Sequence, residues 1–300
     1  MERKANNETQ KSLSKVVINW YPGHMAKAKR LINEQLSLID IVYEVIDARM
    51  PYSSKIKDID NIIKNKSRIL IMTKYDLCDK KETDKWINYY ENKGYNVLPL
   101  DLENNPNLKT LFKLTEEIMK TTNEKRENKG MLKRRTRVLI IGIPNVGKST
   151  LINRLVAKKA VNVGNKPGVT KQLNWIRINN DLELLDTPGI LWPKLDEETV
   201  AFNLASLTAI KEEILPLYDV VEYILRTLNK YYPKQLETRY GITSVDDDII
   251  TTLEKIGAKR GCLIKGGEID YDKVVSIIIN DIKNGYLKNI TFDRFEKHNG

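Results

Sequence analysis

Apolar residues first gather into a continuous run at Ile41-Val42-Tyr43-Glu44-Val45-Ile46, ended by Asp47-Ala48-Arg49-Met50-Pro51. A run of that length, bounded by turn residues, predicts a strand buried on both faces, as in a parallel sheet. Arg68–Met72 repeats the pattern and closes on Thr73-Lys74-Tyr75-Asp76. Tyr95–Leu100 and Val138–Ile141 predict two further strands. Between these strands, helical patterning covers Thr83–Asn92 and about Leu108 to Lys120, and a Gly-rich turn opens a helix from about Lys148 to Ala157. Two shorter strands are predicted near Gln172–Ile178 and Leu182–Leu185. This alternation predicts an α/β fold, a mostly parallel sheet with helices on both faces.

Beyond Pro193 the period changes. Leu217, Val220, Val221, Ile224, Leu225 and Leu228 fall on one face of a helix, Ile249, Ile250, Leu253 and Ile256 on a second, and Val274, Ile277, Ile278 and Ile282 on a third. These stripes are core positions, and they predict a small all-α domain. The expected division is a flexible leader at 1–19, an α/β domain at 20–193 with a basic linker at about 121–137, and a helical domain at 194–300.

Charge sharpens this division. The net +10 is uneven: residues 1–193 carry 35 Lys/Arg against 22 Asp/Glu, and residues 194–300 carry 15 against 18. The excess is densest at Lys27-Ala28-Lys29-Arg30 and between Lys120 and Arg137, which suits either a polyanionic partner or a solvated face. The N-terminal residues are polar and no apolar run approaches the ~20 residues of a membrane span, so no membrane partner is expected. Cys78 and Cys262 stand alone without metal-ligand spacing, which fits a reducing cytoplasm.

The sharpest chemical signal is Gly142-Ile143-Pro144-Asn145-Val146-Gly147-Lys148-Ser149-Thr150, a complete G-x-x-x-x-G-K-[ST] loop between a strand and a helix. Backbone amides from Asn145 to Thr150 would curl around phosphates, Lys148 would reach the β- and γ-phosphates, and Ser149 would ligate Mg²⁺. Asp186-Thr187-Pro188-Gly189 fits a D-x-x-G element, with Asp186 holding Mg²⁺ through water and Gly189 sensing the γ-phosphate. Thr73-Lys74-Tyr75-Asp76 fits an N/T-K-x-D guanine reader: the Asp76 carboxylate can accept from the N1 and N2 donors of guanine, which adenine lacks. Lys74 would pack along base and ribose. Thr170 is the expected switch threonine completing the Mg²⁺ shell. Asp101 and Leu102 occupy, by position, the remaining guanine-contacting loop, where a Ser-Ala-like turn would be commoner.

In a conventional GTPase the guanine reader follows the P-loop. Here it precedes it. Residues 39–120 therefore read as the second half of a GTPase domain and 138–190 as the first, rejoined through the basic linker. Such permutation is permissible because native termini lie close together on the surface. It makes the segment after Gly189 lead straight into the helical domain, a direct path for a nucleotide signal.

Together with Trp20-Tyr21-Pro22-Gly23-His24-Met25, Asp47-Ala48-Arg49-Met50-Pro51, Ile190-Leu191-Trp192-Pro193 and Lys259-Arg260-Gly261-Cys262-Leu263, these motifs resemble the ribosome biogenesis GTPase A family over roughly residues 17 to 285. The resemblance implies a circularly permuted GTPase acting late in large-subunit assembly. It would bind GTP and GDP, associate with rRNA while GTP is bound, and be released after hydrolysis. It also implies Lys27, Lys29, Arg30, Lys259, Arg260 and Lys265 as RNA contacts. Ile190 stands where many GTPases place a water-orienting glutamine, so hydrolysis by the free protein, expected to be a monomer, should be slow. Two substitutes offer themselves. Asn145 can ligate K⁺ beside the phosphates, and the resemblance suggests that His24 helps activate water on the ribosome. The competing possibility is a passive rRNA-binding factor with GTP as a structural ligand.

Overall fold

The computed structural model describes residues 18–19, 30–57, 59–104, 107–132, 134–156, 174–187, 194–195, 197–210 and 216–299. The strands are β1 (Ile18–Asn19), β2 (Ile41–Asp47), β3 (Ser67–Thr73), β4 (Asn96–Leu100), β5 (Thr136–Ile141), β6 (Asn174–Arg177), β7 (Leu182–Asp186) and β8 (Lys194–Leu195). Six of them form one sheet in the order β4-β3-β2-β5-β7-β6. All neighbours run parallel except β6 against β7. β2 lies in the middle with every residue buried, as its mostly apolar run predicts, and Glu44 and Asp47 are buried with it. β1 pairs antiparallel with β8, so Ile18 and Asn19, expected in the leader, are tied to Lys194 and Leu195.

The helices of this half are α1 (Ile59–Ile63), α2 (Lys80–Asn92), α3 (Leu108–Glu127) and α4 (Lys148–Leu155). α2 starts three residues earlier than the apolar pattern indicated, because the Asp79 side chain caps it by accepting from Glu82 N. α3 continues to Glu127 and takes in the first part of the expected linker. Its last turns are polar, which hides them from an apolar-period reading, yet Arg126 reaches back to Asp40. Arg134 joins the same carboxylate at 2.8 Å, and the backbone N–H of Arg137 donates to it at 2.9 Å. Three parts of the joining segment thus converge on Asp40 just before β2. The join between the permuted halves is fixed by salt bridges at the pole of the sheet where β2 and β5 begin.

The second half contributes α5 (Glu198–Ser206), α6 (Leu217–Tyr231), α7 (Pro233–Tyr240), α8 (Ile249–Arg260), α9 (Tyr271–Lys283) and α10 (Phe295–Asn299). The stripe of α6 is buried from Val220 to Leu228 with Leu217 half-buried, whereas Ile250 in the first turn of α8, expected in the core, is 39% exposed. α7 has only Leu236 and Tyr240 buried, too short a stripe to stand out in sequence. After α9 the chain returns to the α/β half. Ile290 N donates to Leu77 O at 3.2 Å, and the Trp86 indole donates to Asp293 O at 3.0 Å. The buried Asp293 carboxylate accepts from Tyr52 N, Ser53 N and Asn203 Nδ2 at 2.8, 2.7 and 2.8 Å. One side chain near the C-terminus therefore joins the loop after β2 to α5. Among the described residues no helix is long and apolar enough to cross a membrane.

Candidate nucleotide site

The carboxyl ends of β2, β3, β5 and β7 share one edge of the sheet. From β2 the chain moves outward to β3, and from β5 it moves outward on the other side. The crevice above β2 and β5 is thus a topological switch point, where open α/β sheets place their ligands. Asp47, Thr73, Gly142 and Asp186 all stand at this edge.

The loop from Gly142 to Gly147 is shaped by close contact. A Cβ on Gly142 would collide with the backbone oxygen of Val45, so only glycine lets the loop leave β5 against β2. Gly147 caps α4 with φ 96°, and Asn145 adopts φ 63°. Replacing Gly142 by alanine is expected to destabilise the fold by about 2–3 kcal/mol, since backbone must shift to admit the methyl group. Urea unfolding against the parent protein measures it.

Lys148 opens α4, is 7% exposed, and donates to Gly142 O at 3.0 Å and Ile143 O at 2.9 Å. Burial pushes its ammonium down to about 8, and the nearby Asp186 charge opposes that shift. Phosphate placed beside it would restore its charge. Nucleotide binding should therefore take up almost no proton at pH 7 and roughly three-quarters of a proton at pH 8.5, with affinity falling above pH ~8. Calorimetry in buffers of different ionisation enthalpy reads this directly.

The segment 73–76, expected to read guanine, meets this loop. Thr73 Oγ1 lies 3.1 Å from Ile46 O and also contacts Val146 O. Lys74 Nζ donates to Asn145 O at 2.8 Å. Two segments far apart in sequence, and in permuted order, are thus in direct contact. Asp76, two residues on, has its carboxyl raised by burial and by the Asp101 charge. Tyr75 points elsewhere, its hydroxyl donating to Asp84 at 2.7 Å.

The side chains of the loop after β4 are committed elsewhere. Burial raises the Asp101 carboxyl, but hydrogen bonds from Asn104 and Glu103 outweigh this and hold it below its ordinary range. Its oxygens accept from Glu103 N, Asn104 N and Asn104 Nδ2, each at 2.9 Å. Leu102 packs into the core. Asp101 and Leu102, expected at the base, thus keep their side chains within the loop and core, and the backbone is what remains for a guanine contact.

Asp186 is 1% exposed at the end of β7, and Ser149 is the second residue of α4. A carboxylate and a hydroxyl are both oxygen donors, the chemistry that suits Mg²⁺. Asn145 Nδ2 donates to Thr208 O at 2.6 Å and Thr208 Oγ1 at 3.0 Å, so an alkali cation would take the Oδ1 side of that amide. Val146 is buried, and Thr150 lies in the first turn of α4. His24, Lys27, Lys29, Thr170 and Gly189 lie outside the described residues.

The expected RNA contacts are spread out. Arg30 pairs with Glu34 at 3.7 Å. Lys259 and Arg260 are exposed in the last turn of α8, and Lys265 is exposed in the following turn beside Leu263 and Ile264, 49% and 47% exposed. Sequence reading gave no chemical role to Asp47 and Arg49, both of which are completely buried beside Lys74. An Asp-x-Arg pair at the end of a central strand was the available signal.

A family model described as 50S ribosome-binding GTPase matches residues 137–264, and one described as RsgA GTPase matches residues 59–196. The chain is 46% identical to the ribosome biogenesis GTPase A of Priestia megaterium over 279 residues, covering 93% of this chain and 97% of that one. The Thermotoga maritima protein of the same name is 31% identical over 284 residues, covering 93% and 95%. Among solved structures, GNP-bound YlqF from T. maritima is similar at 28% identity and TM-score 0.63, covering 89% of this chain and 98% of that one.

Proposed function

The chain belongs to the ribosome biogenesis GTPase A family, and from that premise we propose that it is a GTP-dependent switch that binds the assembling large ribosomal subunit through rRNA and leaves after hydrolysis. The observation that carries this reading is the bond from Lys74 Nζ to Asn145 O, which brings the guanine reader against the phosphate loop in permuted order. The order matters because the segment following Asp186 runs directly into β8 and α5. Loss of a γ-phosphate contact at Gly189 would then act on the helical half without an intervening domain.

In this reading Asp76 selects guanine, the amides of residues 145–150 and the Lys148 ammonium hold the phosphates, and Thr73 and Lys74 brace the loop. Ser149, Asp186 and Thr170 would hold Mg²⁺, whose charge offsets that developing on the phosphates. Asn145 Oδ1 would hold K⁺. Lys259, Arg260 and Lys265, exposed together around the end of α8, offer phosphate contacts for rRNA, with Lys27, Lys29 and Arg30 as a second group. With Ile190 in the place of a water-orienting glutamine, the particle supplies the stimulation, and the family resemblance makes His24 the candidate to assist.

Sedimentation with large-subunit particles tests the switch. Co-sedimentation is expected with a non-hydrolysable GTP analogue and its loss with GDP; equal binding with analogue, GDP and no nucleotide would leave only a passive binder. Hydrolysis compared in K⁺ and Na⁺, with and without particles, should be fastest with K⁺ and particles together.

A further inference from the structure

Asp47 and Arg49 are 0% exposed, yet both are charged and neither belongs to the phosphate loop or the guanine reader. Asp47 Oδ1 accepts from Arg49 N and Arg49 Nε, each at 3.0 Å. Asp47 Oδ2 accepts from Arg49 Nη2 at 2.9 Å and takes the Lys74 ammonium at 3.0 Å. The remaining arm of the guanidinium, Nη1, donates to Ile282 O at 2.8 Å, near the end of α9. Lys74 itself holds a left-handed φ of 58°, which a lysine keeps only where its surroundings dictate it. A hydrogen-bonded line therefore runs from Ile282 O through Arg49, Asp47 and Lys74 to Asn145 O. Asn145 is also gripped from the other side by Thr208, just beyond α5.

We propose that Asp47 and Arg49 are positioning residues for the guanine-reading lysine, and that through them the end of α9 is energetically linked to nucleotide binding. This line does not pass through the segment after Asp186. It rests on reading Lys74 as part of the guanine site and deepens that reading. Coupling arises because the same guanidinium must satisfy both Asp47 and Ile282 O. If α9 shifts, Arg49 loses an acceptor and the Asp47 carboxylate turns, so Lys74 leaves the phosphate loop. By linkage, a nucleotide that fixes Lys74 must equally steady α9. The fork geometry makes arginine irreplaceable here: a lysine carries one point charge and cannot span both acceptors.

The experiment uses the full chain. Hydrogen exchange at residues 282–287 is measured with and without saturating GDP, and GDP affinity is measured by titration, for the parent protein and Arg49→Lys. GDP should slow exchange at 282–287 in the parent. Arg49→Lys should weaken GDP binding by about tenfold or more and abolish that GDP-dependent slowing even at saturation. A merely structural arginine would lower protection equally with and without GDP and leave the response intact, which would overturn the proposal. Should Arg49→Lys fail to fold, Lys74→Met cuts the line at its other end and must uncouple the response as well. A parent protein that binds no guanine nucleotide would refute the site itself; one that binds GDP with no change at 282–287 would refute only the coupling.

Discussion

Replacing Asp76 by asparagine is expected to weaken GTP and GDP binding by about 10²–10⁴-fold with no loss of fold stability. The carboxylate offers two acceptors to the N1 and N2 donors of guanine. An asparagine turns one of those acceptors into a donor that faces a donor, and the base loses both an attraction and a match. Stability should hold, or rise slightly, because burial and the Asp101 charge already disfavour the ionised Asp76. The same logic predicts how the parent discriminates. Inosine nucleotides lack the N2 donor and should bind roughly tenfold or more weaker than GTP, and Asp76→Asn should erase most of that difference. Competition against a fluorescent guanine nucleotide gives both ratios, and ATP competing on equal terms with GTP in the parent would refute the assignment.

Lys148→Met is the second large effect. The variant is expected to lose at least about 10³-fold in GTP hydrolysis, since the ammonium that offsets charge on the transferring phosphoryl group is gone. Its unfolding free energy should stay within about 1 kcal/mol of the parent at pH 7. Two contributions oppose each other there: methionine forfeits the bonds to Gly142 O and Ile143 O, and it removes an ammonium that burial has already made costly. Thermal melting beside a single-turnover assay separates the two. The proton taken up on nucleotide binding near pH 8.5 should vanish in this variant, which ties that signal to Lys148.

Both variants exploit the same property. At Asp76 and Lys148 the protein keeps a charge that its own fold disfavours. A group whose charge burial disfavours is a candidate place for a ligand to supply complementary charge or hydrogen bonds.

Much of this site was readable in the sequence because its elements are local. The phosphate loop needs glycines at fixed offsets between a strand and a helix, and Gly142 and Gly147 meet the steric demands that the spacing encodes. The strands over 41–47, 67–73 and 136–141 follow from apolar runs, the first interrupted only by Glu44 and the others flanked by polar residues. The permuted order followed from the order of the motifs together with the strand list, and the sheet order agrees with it. Less was legible where burial is supplied by distant chain. α3 runs on through charged residues because Arg126 finds Asp40. The loop at Asp101 is expected near the base by position, and no local pattern announced that its carboxylate would be engaged by Asn104 and Glu103.

The sequence by itself marked the candidate chemistry, residues whose types and spacing suit cradling phosphate, reading guanine and holding a metal, and it determined that the sheet comes in two exchanged halves. Such information survives in one dimension because it depends on residue type and short spacing. Only the tertiary structure decided how the halves are held together and which distant residues meet at their buried charges. Asp47, Arg49 and Asp293 draw their meaning from partners such as Ile282, Ser53 and Asn203, most of them far along the chain. A buried charge is stable only beside its counter-charge or its hydrogen-bond partners, and no local pattern records where those will arrive.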